Sequence, residues 1–297
     1  MRRIVVIGGV MVLGGCVAPS GPPPVAASPV VAVPIARPPV PVVPAVFRMT
    51  GVPMQGGLVR GQAPAGAVSV MLYDKPVPVA GDGRFIVGFD RDASVAARLV
   101  ATLADGRTVT QVLTVAPRAW RIERVDAPYR AGKSDAEFDA ARPAELAQIV
   151  AARARVTDAA GWQQPMRWPA TGRQSGWFGA QRVYQGKPGS YHGGADVAVP
   201  TGTPVVAPAD GVVILAADRP FTLEGNLLMI DHGMGLNSAM LHLSRIDVHV
   251  GDHVRQGQPV GLSGATGRAT GPHLHWGLQW RGAKLDPLLV VGAGPAG

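Results

Sequence analysis

The chain changes its hydrophobic rhythm three times. Residues 68–73 and 108–115 are short β-rich runs, the second alternating imperfectly between polar and apolar. The Asp82-Gly83 and Asp105-Gly106 dipeptides between such runs are tight-turn signals. Residues 47–126 therefore read as a small β-sandwich module, with no histidine and no cluster of reactive side chains. Residues 127–160 read as a helical connector. Ser134 and Glu137 have the spacing of a capping box, and Pro143 is placed to open a second segment. Leu146, Ile149, Val150 and Ala154 then recur at i, i+3, i+4 and i+8 on one helical face. Residues 161–290 return to short apolar runs, 204–207, 211–216, 227–230 and 259–262, separated by glycine-rich turns. That pattern predicts a second all-β domain, a barrel or sandwich, larger than the first.

The N-terminal pattern is different. Arg2 and Arg3 precede an apolar run over residues 4–13 that ends in Leu13-Gly14-Gly15-Cys16. A helix needs about 20 apolar residues to cross a bilayer, so this run is too short and reads as a secretory signal. Leu-Gly-Gly-Cys resembles the bacterial lipoprotein box. That likeness makes residues 1–15 a signal peptide and Cys16 the lipidated residue. Val17 at the next position, where Asp would signal inner-membrane retention, points to an outer-membrane anchor facing the periplasm. Residues 16–46 contain ten of the chain's 28 prolines and almost no charge. Each proline fixes φ and removes a donor, so this stretch is expected to be an extended, disordered stalk, reaching about 90 Å at ~3.1 Å per residue.

Composition narrows the picture little further. The 297 residues are 47% hydrophobic, enough for two cores, and the formal charge is +8. No dense Lys/Arg block or aromatic-interleaved basic strand accompanies that charge, which argues against nucleic acid as a partner. Cys16 is the only cysteine, so neither an internal disulfide nor a thiolate metal site can form.

All seven histidines fall in residues 161–290. His192 and Asp196 are four apart, with two glycines between them that disfavour a helix, so the segment reads as a loop or a strand. On a strand they share a face. His273 and His275 share a face by the same period-2 rule, with Leu274 and Trp276 turned into packing. Imidazole and carboxylate together are zinc donors, and three ligands plus spare histidines is the pattern of a catalytic rather than a closed structural site. The spacing alone does not say which of His273 and His275 would ligate.

These residues carry a resemblance. His192-x-Gly194-x-Asp196 and Gly271-Pro-His273-Leu-His275, with "PTGTPVVAPADGVV" from Pro200, "IDHGMGL" from Ile230, "GDHVRQGQPVGLSGATG" from Gly251 and "LDP" from Leu285, are similar to the lysostaphin/LytM-type zinc metalloendopeptidases. The resemblance implies a duplicated-hybrid-motif-like all-β catalytic domain with one Zn²⁺ and peptidoglycan cross-link peptides as substrate. It implies His192, Asp196 and His275 as metal ligands, and His242 and His273 as catalytic residues near the bound water. The alternative it leaves is a catalytically silent relative that activates a cell-wall amidase. Met240 stands where the family often has Tyr, which puts local substrate contacts in question. His232 is expected to bond locally at a strand end, His249 and His253 to face solvent, and Arg182 to form a structural ion pair.

Overall fold

The computed structural model describes residue 21 and residues 45–126, 136–292 and 294–295. The signal segment, Cys16, nearly all of the stalk and Ser134 lie outside these residues. Pro44–Gly297 forms one compact unit.

Its first part is built from β1 (Arg48–Thr50), β2 (Leu58–Gln62), β3 (Ala67–Leu72), β4 (Lys75–Pro76), β5 (Arg84–Gly88), β6 (Ala96–Leu103) and β7 (Thr108–Thr114). They form two small sheets, β1-β2-β5 and β4-β3-β6-β7. In β6 the alternation is clean: Ala97, Leu99, Ala101 and Leu103 are buried and the residues between them are not. In β5 it fails, because Phe85, Ile86 and Val87 are all buried. A strand buried on both faces has a second neighbour. Here it is the larger half, whose strands β20 (Leu274–Trp280) and β21 (Ala283–Leu285) pack against β5.

The helix α1 (Ala136–Arg153) is a single element, and this corrects two sequence expectations. Pro143 lies inside it and does not start a second segment. Proline costs a helix interior about 3 kcal/mol by removing one bond and crowding the preceding turn. Packing and side-chain bonds to the sheet half hold the helix through it. Arg142 Nη1 and Nη2 donate to Glu224 Oε2 and Oε1 at 2.6 and 2.8 Å, and Glu145 accepts from the Thr222 amide and hydroxyl. The buried face is also rotated from the predicted one. It carries Glu145, Ile149 and Ala152, while Leu146 and Val150 are 44% and 66% exposed. The anchoring glutamate, a polar residue, was invisible to an apolar template.

The second half contains β8 (Ile122–Val125), β9 (Arg173–Gly176), β10 (Gln181–Tyr184), β11 (Lys187–Tyr191), β12 (Ala195–Ala198), β13 (Pro204–Val206), β14 (Gly211–Ala216), β15 (Asn226–Asp231), β16 (Leu236–Leu243), β17 (Arg245–Ile246), β18 (His253–Val254) and β19 (Pro259–Leu262), then β20 and β21, and closes with α2 (Pro287–Val291). Its centre is an eight-stranded antiparallel sheet ordered β18-β14-β15-β16-β20-β12-β9, with β21 on β20. Along β20, Leu274, Trp276, Leu278 and Trp280 are buried, while His275, Gly277 and Gln279 are partly open. One face of this sheet is core. The other is the floor of a cleft. The mostly β architecture with one connecting helix matches the sequence expectation.

Candidate metal centre and active-site cleft

Adjacent strands bring the ligands together. Asp196 on β12 lies directly opposite His275 on β20, so the two side chains emerge side by side from one face. His192 arrives from the loop after β11 and not from a strand, so its shared orientation with Asp196 comes from loop geometry and not from pleat. His192 Nε2 and His275 Nδ1 stand 3.0 Å apart, and each lies near Asp196 Oδ1, at 3.1 and 2.9 Å. Two glycines make room. A Cβ at Gly176 would collide with the Asp196 carboxylate, and one at Gly194 would collide with the Trp276 carbonyl.

The protonation pattern follows from the outer partners. His192 Nδ1 faces the Trp177 carbonyl at 3.1 Å, and a carbonyl only accepts, so Nδ1 carries a proton; Nε2 points inward at Asp196 and is the nitrogen that gives up its proton to hold an ion. Burial penalises the Asp196 carboxylate, but hydrogen bonds and charge from His192 and His275 outweigh it and hold this group well below the usual carboxylate range. Burial also lowers His192. There the Asp196 bond and charge, with the Trp177 carbonyl, prevail and raise it. His275 goes the other way, because burial dominates and lowers it.

Two nitrogens and one oxygen about 3 Å apart suit a tetrahedral ion, whose ligands at 2.0–2.1 Å lie about 3.3 Å from one another. With no thiolate and three protein donors, the set is that of a zinc ion with a position left for water.

Two further imidazoles border this cluster. The His242 and His273 rings have centroids 4.8 Å apart, and His273 Nε2 is 4.0 Å from Asp196 Oδ1. Each has its Nδ1 proton fixed by a backbone carbonyl, Thr266 for His242 and Gly271 for His273, both at 2.8 Å. Both therefore leave Nε2 as the free nitrogen. His242 sits on β16 with φ at 64°, in the left-handed region. By strand alternation it would follow Met240 into the core, where Met240 is fully buried. The left-handed turn breaks the alternation, so Leu241 and His242 both line the cleft. Burial lowers the His242 pKa, which keeps this ring neutral. Met240, the departure from the family's Tyr, lies in the core and does not touch the cleft.

The other expectations resolve in the same terms. His232 is fully buried with both nitrogens bound, to the Asp210 carbonyl at 2.9 Å and to Ser238 Oγ at 2.7 Å. His249 and His253 are exposed. Arg182 pairs with Glu123 at 2.7 Å on the surface. Cys16 lies outside the described residues. The backbone carbonyls of Trp177, Thr266 and Gly271, which set three tautomers, carried no signal in sequence, since every residue has one.

The cleft has a volume of about 1210 Å³. Its walls are α1, through Leu146 and Arg153, and the three-stranded sheet β11-β10-β8. A fully antiparallel β floor carries a His-Asp-His donor set that fits a single zinc ion.

Comparison with known proteins gives a family match. Residues 190–287, about a third of the chain, match Peptidase family M23. Over 97 residues it is 46% identical to peptidoglycan DD-endopeptidase ShyA of Vibrio cholerae serotype O1, covering 33% of this chain and 22% of that protein. Over 100 residues it is 41% identical to DD-carboxypeptidase/endopeptidase Mpg of Neisseria meningitidis serogroup B, covering 34% and 23%. The chain thus spans about a fifth of the length of these relatives. A peptidase M23 crystal structure from Pseudomonas aeruginosa superposes with a TM-score of 0.62 at 29% identity, over 82% of this chain and 96% of that one.

Proposed function

We propose that this protein is a zinc metalloendopeptidase that hydrolyses peptide cross-links of peptidoglycan. The observation that carries the reading is the convergence of the His192–Asp196–His275 donors with two imidazoles whose Nε2 atoms are left free beside them. The peptidoglycan substrate is supported by the name of one relative above, peptidoglycan DD-endopeptidase ShyA, and peptide cleavage also by that of Mpg, a DD-carboxypeptidase/endopeptidase.

Zinc, when bound by His192, Asp196 and His275, supplies Lewis acidity toward the scissile carbonyl and lowers the pKa of water to ~7. The chain's own residues do the rest. His242, neutral and with Nε2 free, is suited to take a proton from the attacking water and return it to the leaving amine. His273, its Nδ1 proton held by Gly271, presents Nε2 beside His242. With a proton taken from solvent at Nε2, that ring would donate to the developing oxyanion. Asp196 would supply the oxygen donor and compensate the ion's charge. The Trp177, Thr266 and Gly271 carbonyls keep each ring in its working tautomer, as outer partners do in metal sites.

An amidase activator of the same fold would need none of these donors, so their retention favours hydrolysis. The enzyme acts outside the cytoplasm. Cys16 acylation would tether it to the outer membrane of a Gram-negative cell, and the proline-rich stalk of residues 16–46 would let it reach the wall from there. Purified protein added to sacculi is expected to release peptide fragments cut at cross-links, identified by mass spectrometry. Release of no peptide, with amidase stimulation in its place, would reverse the assignment. A Cys16→Ser variant is expected to move from the membrane to the soluble fraction.

A further inference from the structure

The cleft continues beyond the zinc donors. Residues on the open face of the sheet form cross-strand rows. Asp196, His275 and Leu241 make the first, Gly277 and Ala239 the second, and Lys284, Gln279 and Asn237 the third. Four residues along β20 separate His275 from Gln279, about 13 Å at ~3.3 Å per residue. The middle row is small. A Cβ at Gly277 would meet nothing closer than 3.8 Å and its φ is not positive, so neither neighbours nor backbone demand glycine there. What glycine leaves is room.

The third row carries the signal. Asn237 is 5% exposed, and its Oδ1 is the one buried side-chain nitrogen or oxygen without a hydrogen-bond partner among the described residues. A buried acceptor left unpaired costs about 1–3 kcal/mol, so it points to a partner from outside the fold. Opposite it, the Gln279 amide also has no partner among the described residues, and both line the cleft. Lys284, next in the row, extends over the Tyr191 ring with Nζ 4.8 Å from its centroid and reaches the side of Gly193, beside the ligand His192. No carboxylate pairs with this ammonium among the described residues.

We propose that this face, from His275 past Gly277 and Ala239 to Asn237 and Gln279, is the track for one extended arm of the substrate peptide. The Asn237 amide hydrogen-bonds that arm's backbone, and the Lys284 ammonium takes a carboxylate on it. The inference rests on the peptidase reading. About four extended residues span the distance between the first and third rows. An arm of that length with free carboxylates fits both the amides and the unpaired cation.

The test uses the full chain, zinc-loaded, with two synthetic cross-linked peptides. One has an arm of four residues with free carboxylates. The other has that arm cut to one residue and amidated. Asn237→Leu removes a buried unpaired acceptor and is expected to hold or raise Tm, so the variant remains foldable. For the long substrate its KM should rise about 3- to 10-fold with kcat little changed, while the short substrate shows no difference. Lys284→Met should raise KM for the long substrate and lose that effect when its carboxylates are amidated. Equal KM values for wild type and Asn237→Leu on the long substrate would overturn the proposal, as would equal losses on both substrates. If wild type cleaves neither peptide, the peptidase reading fails by itself. Calorimetric binding of the long peptide to wild type and Asn237→Leu then decides the track, and equal affinities would reject it.

Discussion

Strands β16 and β20 present two faces that treat polar groups in opposite ways. On the core face, Ser238 Oγ lies 2.7 Å from His232 Nε2 and accepts from Trp276 Nε1 at 3.2 Å, and the other His232 nitrogen meets the Asp210 carbonyl. Every polar atom there is closed by a protein partner. On the cleft face, His242 and His273 each have one nitrogen fixed and one free, and Asn237 Oδ1 has no partner. His232 and His242 are both buried imidazoles of one domain, 0% and 7% exposed. Burial and residue type do not separate the structural histidine from the one proposed to act in the cleft. The count of satisfied nitrogens does.

The largest effect expected is on the open face. Asp196→Ala removes the site's one oxygen donor, and activity on sacculi should fall by about 10³-fold or more with loss of bound zinc. Next, His242→Ala and His273→Ala should each lower kcat by about 10²–10⁴-fold. Peptide release assays check both sets.

The closed face should answer in stability and not in chemistry. Burial pushes His232 down to about 4 from an ordinary 6.5. The unfolded chain takes up a proton near pH 6.5 and the folded one does not until about 4. Stability is therefore fully present above pH 6.5 and is lost as pH falls toward 4, on the order of 3 kcal/mol in all. Chemical denaturation across that window should show this loss, and His232→Gln should flatten the slope while retaining zinc. The smallest effect concerns Asp90 of the first β module. Its Oδ1 accepts from the Tyr191 hydroxyl and its Oδ2 from the Lys284 amide, both at 2.9 Å, bracing the residue before His192. Asp90→Ala should weaken zinc affinity by about 10-fold, read by chelator competition.

Much of this was legible in sequence because strand period is simple. The alternation of "HLHW" places His273 and His275 on one face, against Leu274 and Trp276, before any coordinates exist. The misses have physical causes. His242 departs from alternation through a left-handed φ that no residue type signals. His192 shares its direction with Asp196 from a loop, where periodicity has no meaning. The α1 face was misread because Glu145 and Arg142 anchor it through ionic bonds, while the apolar Leu146 and Val150 face out. An isolated amide in a strand, such as Asn237, carries no signal until its missing partner is seen.

Zinc content measured together with cleavage tests the central claim most directly. The claim is that three residues hold the ion and two others act beside it. The His242→Ala/His273→Ala double variant should keep one zinc per chain and lose sacculus cleavage, while His275→Ala should lose both. A double variant stripped of zinc, or a His275→Ala protein that holds zinc and still cleaves, would contradict it.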